Sequence, residues 1–257
     1  MITEDRRNDG VTLSYAADLP LTRYRVERAI TMPSDETVAY VEESVENKLA
    51  YGRPMQWVQH VTFGPPFVAM NKTYADAPVF RVMAGRGRDA TLGASWPEKT
   101  SSDSTTADPR VFSGRGSTWL LDGSNPRVYF TLYNTEYPVL IGYIFETQSN
   151  RWILDWQENQ SVKVTPWNGK GIARGICIGD STISGLRSAV EQGNVASVPV
   201  FSWIGARERR TKEYAFFLAQ IPLGFKGVAS LQVEDGRINI QERDTARTIS
   251  IKAGRMW

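Results

Sequence analysis

The chain has 257 residues, 41% of them hydrophobic and 23% charged, the composition of an ordinary globular protein long enough for one large core. Its net charge of +2, from 30 basic and 28 acidic residues, excludes the basic field on which nucleic-acid binding depends. One cysteine and one histidine exclude a disulfide framework and a zinc site, and no apolar run reaches the roughly 18 residues of a membrane helix.

In chain order, the first residues lack the apolar segment of a signal peptide, so the chain is expected in the cytoplasm without a membrane partner. Residues 11–18, 22–32 and 37–46 alternate apolar and polar, with turns at Leu19-Pro20 and at 33–36. The next strand, 57–63, contains His60. Period two puts Trp57, Gln59, Val61 and Phe63 on one face and Gln56, Val58, His60 and Thr62 on the other, and Gly64-Pro65-Pro66 ends it. These four segments are expected to form an antiparallel meander. Residues 85–116 are rich in glycine, serine, threonine and aspartate and read as one long loop, expected to be mobile and to cover the His60 cleft. Its Gly85-Arg86-Gly87-Arg88 run lacks the strand-to-helix context and the Gly-Lys-Ser/Thr element of a phosphate loop.

Strands return at 127–133, 139–145, 151–158 and 170–179. In the first, Val128, Phe130 and Leu132 share one face and Tyr129, Thr131 and Tyr133 the other, which suits a strand covered on both sides. Trp152, Leu154, Trp156 and Glu158 share one face of the third, and Trp167 follows Pro166. A short helix is expected at about 184–192, capped by Ser184 or Ser181 and closed by Gly193. Strands at 198–204, 211–220, 228–233, 237–242 and 248–252 complete the chain, with Gly236 after Asp235 as a hairpin turn. Roughly thirteen to sixteen strands with one helix predict an all-β, two-sheet antiparallel supersandwich forming a single domain over 1–257.

The His60 strand, a histidine followed by an aromatic and a glycine, resembles a strand of the aldose 1-epimerase (galactose mutarotase-like) superfamily. Residues 24–28 through 41–47 are similar to that superfamily's pair of long strands. The resemblance implies further strands ahead of these, and a sugar or sugar-like ligand beside His60. Opening a pyranose needs one group to take the anomeric proton while another protonates the ring oxygen, and each such group supplies about 10²- to 10⁴-fold. The resemblance gives the general acid's role to His60 and places a glutamate, the base, on the strand that 174–179 matches. Cys177 stands at that place. Asp180 and Glu158 are the other candidate bases.

Gln56, Trp152, Trp156 and Trp167 are candidate sugar contacts, although tryptophans in a large β protein are more often core. No cofactor and no metal is expected, and a homo-oligomer is left open. Two functions remain: an aldose 1-epimerase-like isomerase, and a non-catalytic carbohydrate-binding protein on the same scaffold.

Overall fold

The computed structural model describes residues 2–84, 91–96, 108–181 and 185–255. Among the described residues strand accounts for 57% and helix for 4%, the helix far below the roughly one third of an average domain. One sheet has eight strands in the order β1 (Ile2–Arg7), β2 (Gly10–Leu19), β3 (Tyr24–Pro33), β4 (Val38–Asn47), β18 (Arg209–Gln220), β12 (Val139–Glu146), β11 (Arg127–Asn134) and β7 (Thr73–Asp76). The second has six: β6 (Val58–Phe63), β14 (Ile172–Gly179), β13 (Trp152–Asn159), β10 (Ser117–Leu121), β8 (Val79–Ala84) and β9 (Thr91–Ser95). All pairings within both are antiparallel.

The two sheets meet over the inward-facing residues that period two selects. Val41, Val128, Phe130, Leu132, Phe145 and Tyr214 from the large sheet pack against Val82, Trp119, Ile153, Ile176 and Ile178 from the small one. Cross-strand aromatic pairs reinforce the large sheet: Phe130 stacks on Tyr143 at 4.9 Å and Phe145 on Tyr214 at 5.0 Å, in the register that sets them opposite each other. The opposite face of the large sheet is also covered. Tyr129, Tyr133, Ile144 and Phe217 pack there against Ile238 and Ile240 of a three-stranded sheet, β19 (Val228–Glu234), β20 (Arg237–Glu242) and β21 (Thr248–Lys252). β11 is therefore buried on both sides, as its two apolar faces predict. The β19–β20 turn is Asp235-Gly236, both at positive φ (49° and 69°), the geometry of a two-residue hairpin loop.

Four sequence expectations change. β2, β3 and β4 form a meander, but the His60 strand leaves it and joins the other sheet as the edge strand beside β14. Within the expected long loop, residues 91–95 form β9 and pair with β8; the proposed lid falls mostly on residues 85–90 and 97–107, outside the described residues. The helix, α1, spans Leu186–Gln192 with Gly185 at its N-cap. Ser184 lies outside the described residues, and the Ser181 hydroxyl accepts a hydrogen bond from Gln56 Nε2 (2.7 Å). Gly193 does close the helix, its N–H donating to Ala189 O at φ 72°. The described residues form 21 strands, more than expected, because pieces of two or three residues such as β5 (Arg53–Met55), β15 (Asn194–Val195), β16 (Val198–Pro199) and β17 (Ser202–Ile204) pair into small ribbons.

Candidate functional site

The outward face of the six-stranded sheet is divided in two. One half, around Leu120 and Trp152, is covered by Ala189 of α1 and by Val195 and Val200. The other half is open among the described residues, and it carries the exposed His60.

His60 on β6 is directly opposite Cys177 on β14, so the two side chains leave the sheet on the same side. Cys177 Sγ lies 2.8 Å from His60 Nδ1. His60 is exposed and Cys177 buried. Burial, with the negative charge of Asp155 adding to it, pushes the Cys177 thiol up to about 11, so the sulfur keeps its proton near neutrality.

The next strand, β13, brings the aromatic residues. Trp156 is opposite Gly175, and a Cβ built on Gly175 would lie 3.1 Å from both His60 Nε2 and Trp156 Cε3. The absent side chain therefore lets the imidazole and the indole lean over one position, their ring centroids 6.2 Å apart. Trp167 continues the row at 5.8 Å from Trp156. Glycine at 179 does something else: a Cβ there would meet Trp57 O at 2.3 Å, so it admits close backbone approach rather than a ligand.

The two carboxylate candidates do not converge on His60. Among the described residues of β6, β14 and β13 that share its face, Glu158 is the one carboxylate, and it pairs with Ala173, four residues or about 13 Å along the strands from the Cys177 pair. Its oxygens accept from Ser161 N (2.6 Å), Ser161 Oγ (2.6 Å) and Val162 N (3.1 Å). These bonds, the Ser161 hydroxyl first, hold it below the usual carboxylate range. Glu158 thus organises the loop that presents Trp167. Asp180, of inward parity, accepts from Trp57 N (2.7 Å) and Ser202 Oγ (2.6 Å), and burial raises it.

Of the proposed sugar contacts, Trp156 is half-buried beside His60, and Trp167 is 39% exposed beside Trp156. Trp152 is buried at 2% and donates Nε1–H to Pro199 O (2.8 Å); it belongs to the covered half. Gln56 lies at the entry to β6, bound to Ser181, and lines a cavity of about 210 Å³ with Arg28 and Glu43.

A second polar centre was not singled out from the sequence. Lys212 on β18 lines a cavity of about 440 Å³ with Trp57, Asp180 and Phe201. Its ammonium donates to Trp57 O (3.1 Å), Ser149 O (3.0 Å) and Asn150 Oδ1 (3.4 Å), and burial lowers it to about 8 against the opposing pull of Asp180 and Glu43. Its parity with Tyr214 and Phe216, which face the other sheet, was the available signal. His60 lines none of four cavities of about 210 to 910 Å³ among the described residues; it is exposed on the sheet face.

No family model and no curated protein matches the sequence. Solved structures do match. A galactose mutarotase-like protein from Clostridium acetobutylicum superposes with a TM-score of 0.60 at 10% identity, over 86% of this chain and 66% of that one. The fold is the galactose mutarotase-like sandwich. A Klebsiella pneumoniae protein provisionally named an aldose 1-epimerase aligns at TM-score 0.57 and 11% identity, over 87% of this chain and 54% of that one. A TPR-domain containing protein from Parabacteroides distasonis aligns at 0.60 and 12%, over 96% of this chain and 38% of that one. The chain thus spans less than two thirds of the length of each of the three, and at such identities the likeness concerns the fold alone. On this mutarotase-like sandwich the open half-face of the six-stranded sheet is where His60, Trp156 and Trp167 gather. No helix among the described residues is long and apolar enough to cross a membrane, which says nothing of a β-barrel.

Proposed function

We propose that the open half-face binds a sugar, one ring stacking on Trp156 while His60 hydrogen-bonds an oxygen of the same ring, and that the protein is a carbohydrate-binding protein with weak or no anomer exchange. The observation that carries this reading is the unbroken row His60–Trp156–Trp167 over the gap left by Gly175. An indole offers an apolar surface to the C–H face of a pyranose, and the neighbouring ring nitrogens supply polar contacts at its edge. The mutarotase-like scaffold agrees with a carbohydrate ligand but does not by itself assign one.

The weak-exchange part follows from the partners of the acidic groups. His60 can donate a proton, but the group opposite it is a thiol that burial keeps protonated, and Glu158 and Asp180 are engaged elsewhere. Losing one member of an acid–base pair costs about 10²-fold or more.

The test is a titration with a panel of aldoses followed by calorimetry, together with polarimetry of anomer equilibration, for the unaltered protein, Trp156→Ala, His60→Ala and Cys177→Glu. Trp156→Ala should abolish measurable sugar binding, and Cys177→Glu should exchange anomers faster than the parent. Affinity untouched by Trp156→Ala would refute the binding face. Robust exchange in the parent that survives His60→Ala would refute the site altogether, whereas exchange needing His60 but not residue 177 would favour an aldose 1-epimerase-like isomerase with another base.

A further inference from the structure

We propose that Cys177 is a positioning residue for His60: its thiol donates to Nδ1, and this fixes the imidazole as the tautomer with hydrogen on Nε2, directed over Gly175 on the open face. Three features of the geometry support it. The two residues are an in-register cross-strand pair, so their side chains are held side by side by the β6–β14 ladder rather than by chance rotamers. The contact runs from Sγ to Nδ1 at 2.8 Å, closer than sulfur and nitrogen approach without a shared hydrogen between them. The other ring nitrogen, Nε2, is the imidazole atom nearest the vacant Cβ position of Gly175, on the side where Trp156 also stands.

The direction of the bond follows from the state of the sulfur. A thiol pushed up to about 11 by burial and by Asp155 carries its proton at neutral pH, and because a bare imidazole nitrogen is a far better acceptor than a thiol sulfur, the favoured bond runs from S–H to Nδ1, with the neutral ring's single hydrogen on Nε2. His60 therefore offers a ligand an N–H donor and seeks an acceptor oxygen, such as a ring or hydroxyl oxygen. This consequence rests on the sugar-face reading, while the tautomer itself does not.

The experiment uses the fact that the chain has one histidine and one cysteine, so each spectrum has one signal of interest. The S–H stretch absorbs in an infrared window clear of other protein bands, and long-range proton–nitrogen spectra of ¹⁵N-labelled protein at alkaline pH separate protonated from bare ring nitrogens. We expect one S–H band shifted to the strongly hydrogen-bonded side, returning to the free position in His60→Phe, with the ring hydrogen on Nε2. Cys177→Ser should preserve the Nε2–H signature and sugar affinity within about twofold, while Cys177→Ala should lose the bonded Nδ1 signature and weaken affinity by roughly three- to tenfold, the worth of one neutral hydrogen bond. A ring hydrogen on Nδ1, a missing S–H band, or a band already at the free position overturns the proposal in the unaltered protein, whether or not the variants fold. If the spectra come out as expected but no aldose shifts the Nε2–H signal, the positioning role stands and the sugar-face reading fails.

Discussion

The buried pair behind the site makes a quantitative prediction. Arg174 and Asp155 are both 0% exposed, on the inward side of β14 and β13, each adjacent in sequence to a site residue, Gly175 and Trp156. Arg174 Nε donates to Asp155 Oδ1 and Nη2 to Oδ2, both at 2.9 Å, and Nη1 donates to Arg110 O at 2.8 Å. Gln157 Nε2 adds a donor to Oδ2 at 2.7 Å, while Gln157 Oε1 accepts from Ser113 N (2.8 Å) and Gly114 N (2.9 Å). Arg174→Met keeps most of the volume but leaves a carboxylate in the sandwich with Gln157 as its one remaining side-chain donor among the described residues. Removing one partner of such a pair costs about 3–5 kcal/mol, a large part of the 5–15 kcal/mol or so that holds a typical domain together. The double variant Arg174→Met/Asp155→Leu removes both charges and should regain at least about 2 kcal/mol of that loss. Urea unfolding, with midpoints compared at constant slope, reads both. A single variant within about 1 kcal/mol of the parent, or a double variant no more stable than the single, would show that the pair is not the uncompensated-charge hazard its burial implies.

Three further outcomes are expected. Lys212 is lowered from 10.5 to about 8 in the folded chain, so the unfolded state binds more protons between those values; the penalty is fully present below about pH 8 and is relieved as pH rises toward 10.5. Stability should therefore gain about 3 kcal/mol over that window relative to Lys212→Met, and equal pH slopes in the two proteins would count against it. Glu158 is held below its ordinary value, so its contribution is present above about pH 4.5 and is lost as pH falls through its folded value; acidification should change the tryptophan emission that Trp167→Phe removes, and Glu158→Gln should show that change already at neutral pH. Gly175→Val should separate His60 from Trp156 and lower sugar affinity at least tenfold, roughly the effect of a misplaced contact pair, with His60 ring proton shifts reporting the displacement; unchanged affinity would mean that the gap over Gly175 is not used.

Period-two patterning made the faces legible. Val61 and Phe63 against His60 and Thr62, and Ile176 and Ile178 against Gly175 and Cys177, sort to the inside and outside of one sheet, because one buried face penalises a one-residue slip at every position. What the alternation does not encode is the neighbour. β6 follows a meander in sequence yet pairs with a strand more than 100 positions away, and such pairing depends on which edges are open once both sheets exist. The same limit hid β9, whose Thr91-Leu92-Gly93-Ala94-Ser95 has too few apolar residues to stand out from loop, and the roles of Glu158 and Asp180, whose partners lie in turns and in β17. Tyr129 and Tyr133 did signal a second cover on the large sheet, but not that the last three strands would supply it.

On the proposed reading, the identity of residue 177 also sets the charge of the site. Position 177 is 7% exposed and lies across the β13–β14 ladder from Leu154, one residue from the inward carboxylate of Asp155. A carboxylate there would be desolvated and repelled by Asp155, two effects of the same sign, both of which already raise the thiol. It would be tolerated as an anion only with a positive charge beside it, and the side chain in contact with this position that can carry one is His60. Glutamate at this place therefore suits a site that keeps a charged acid–base couple, whereas cysteine suits one whose surface is neutral. Stacking on Trp156 and an N–H donor from His60 need no charge, which is why, on the proposed reading, the exchange of one side chain converts a proton-transfer site into a face for holding a neutral polyol.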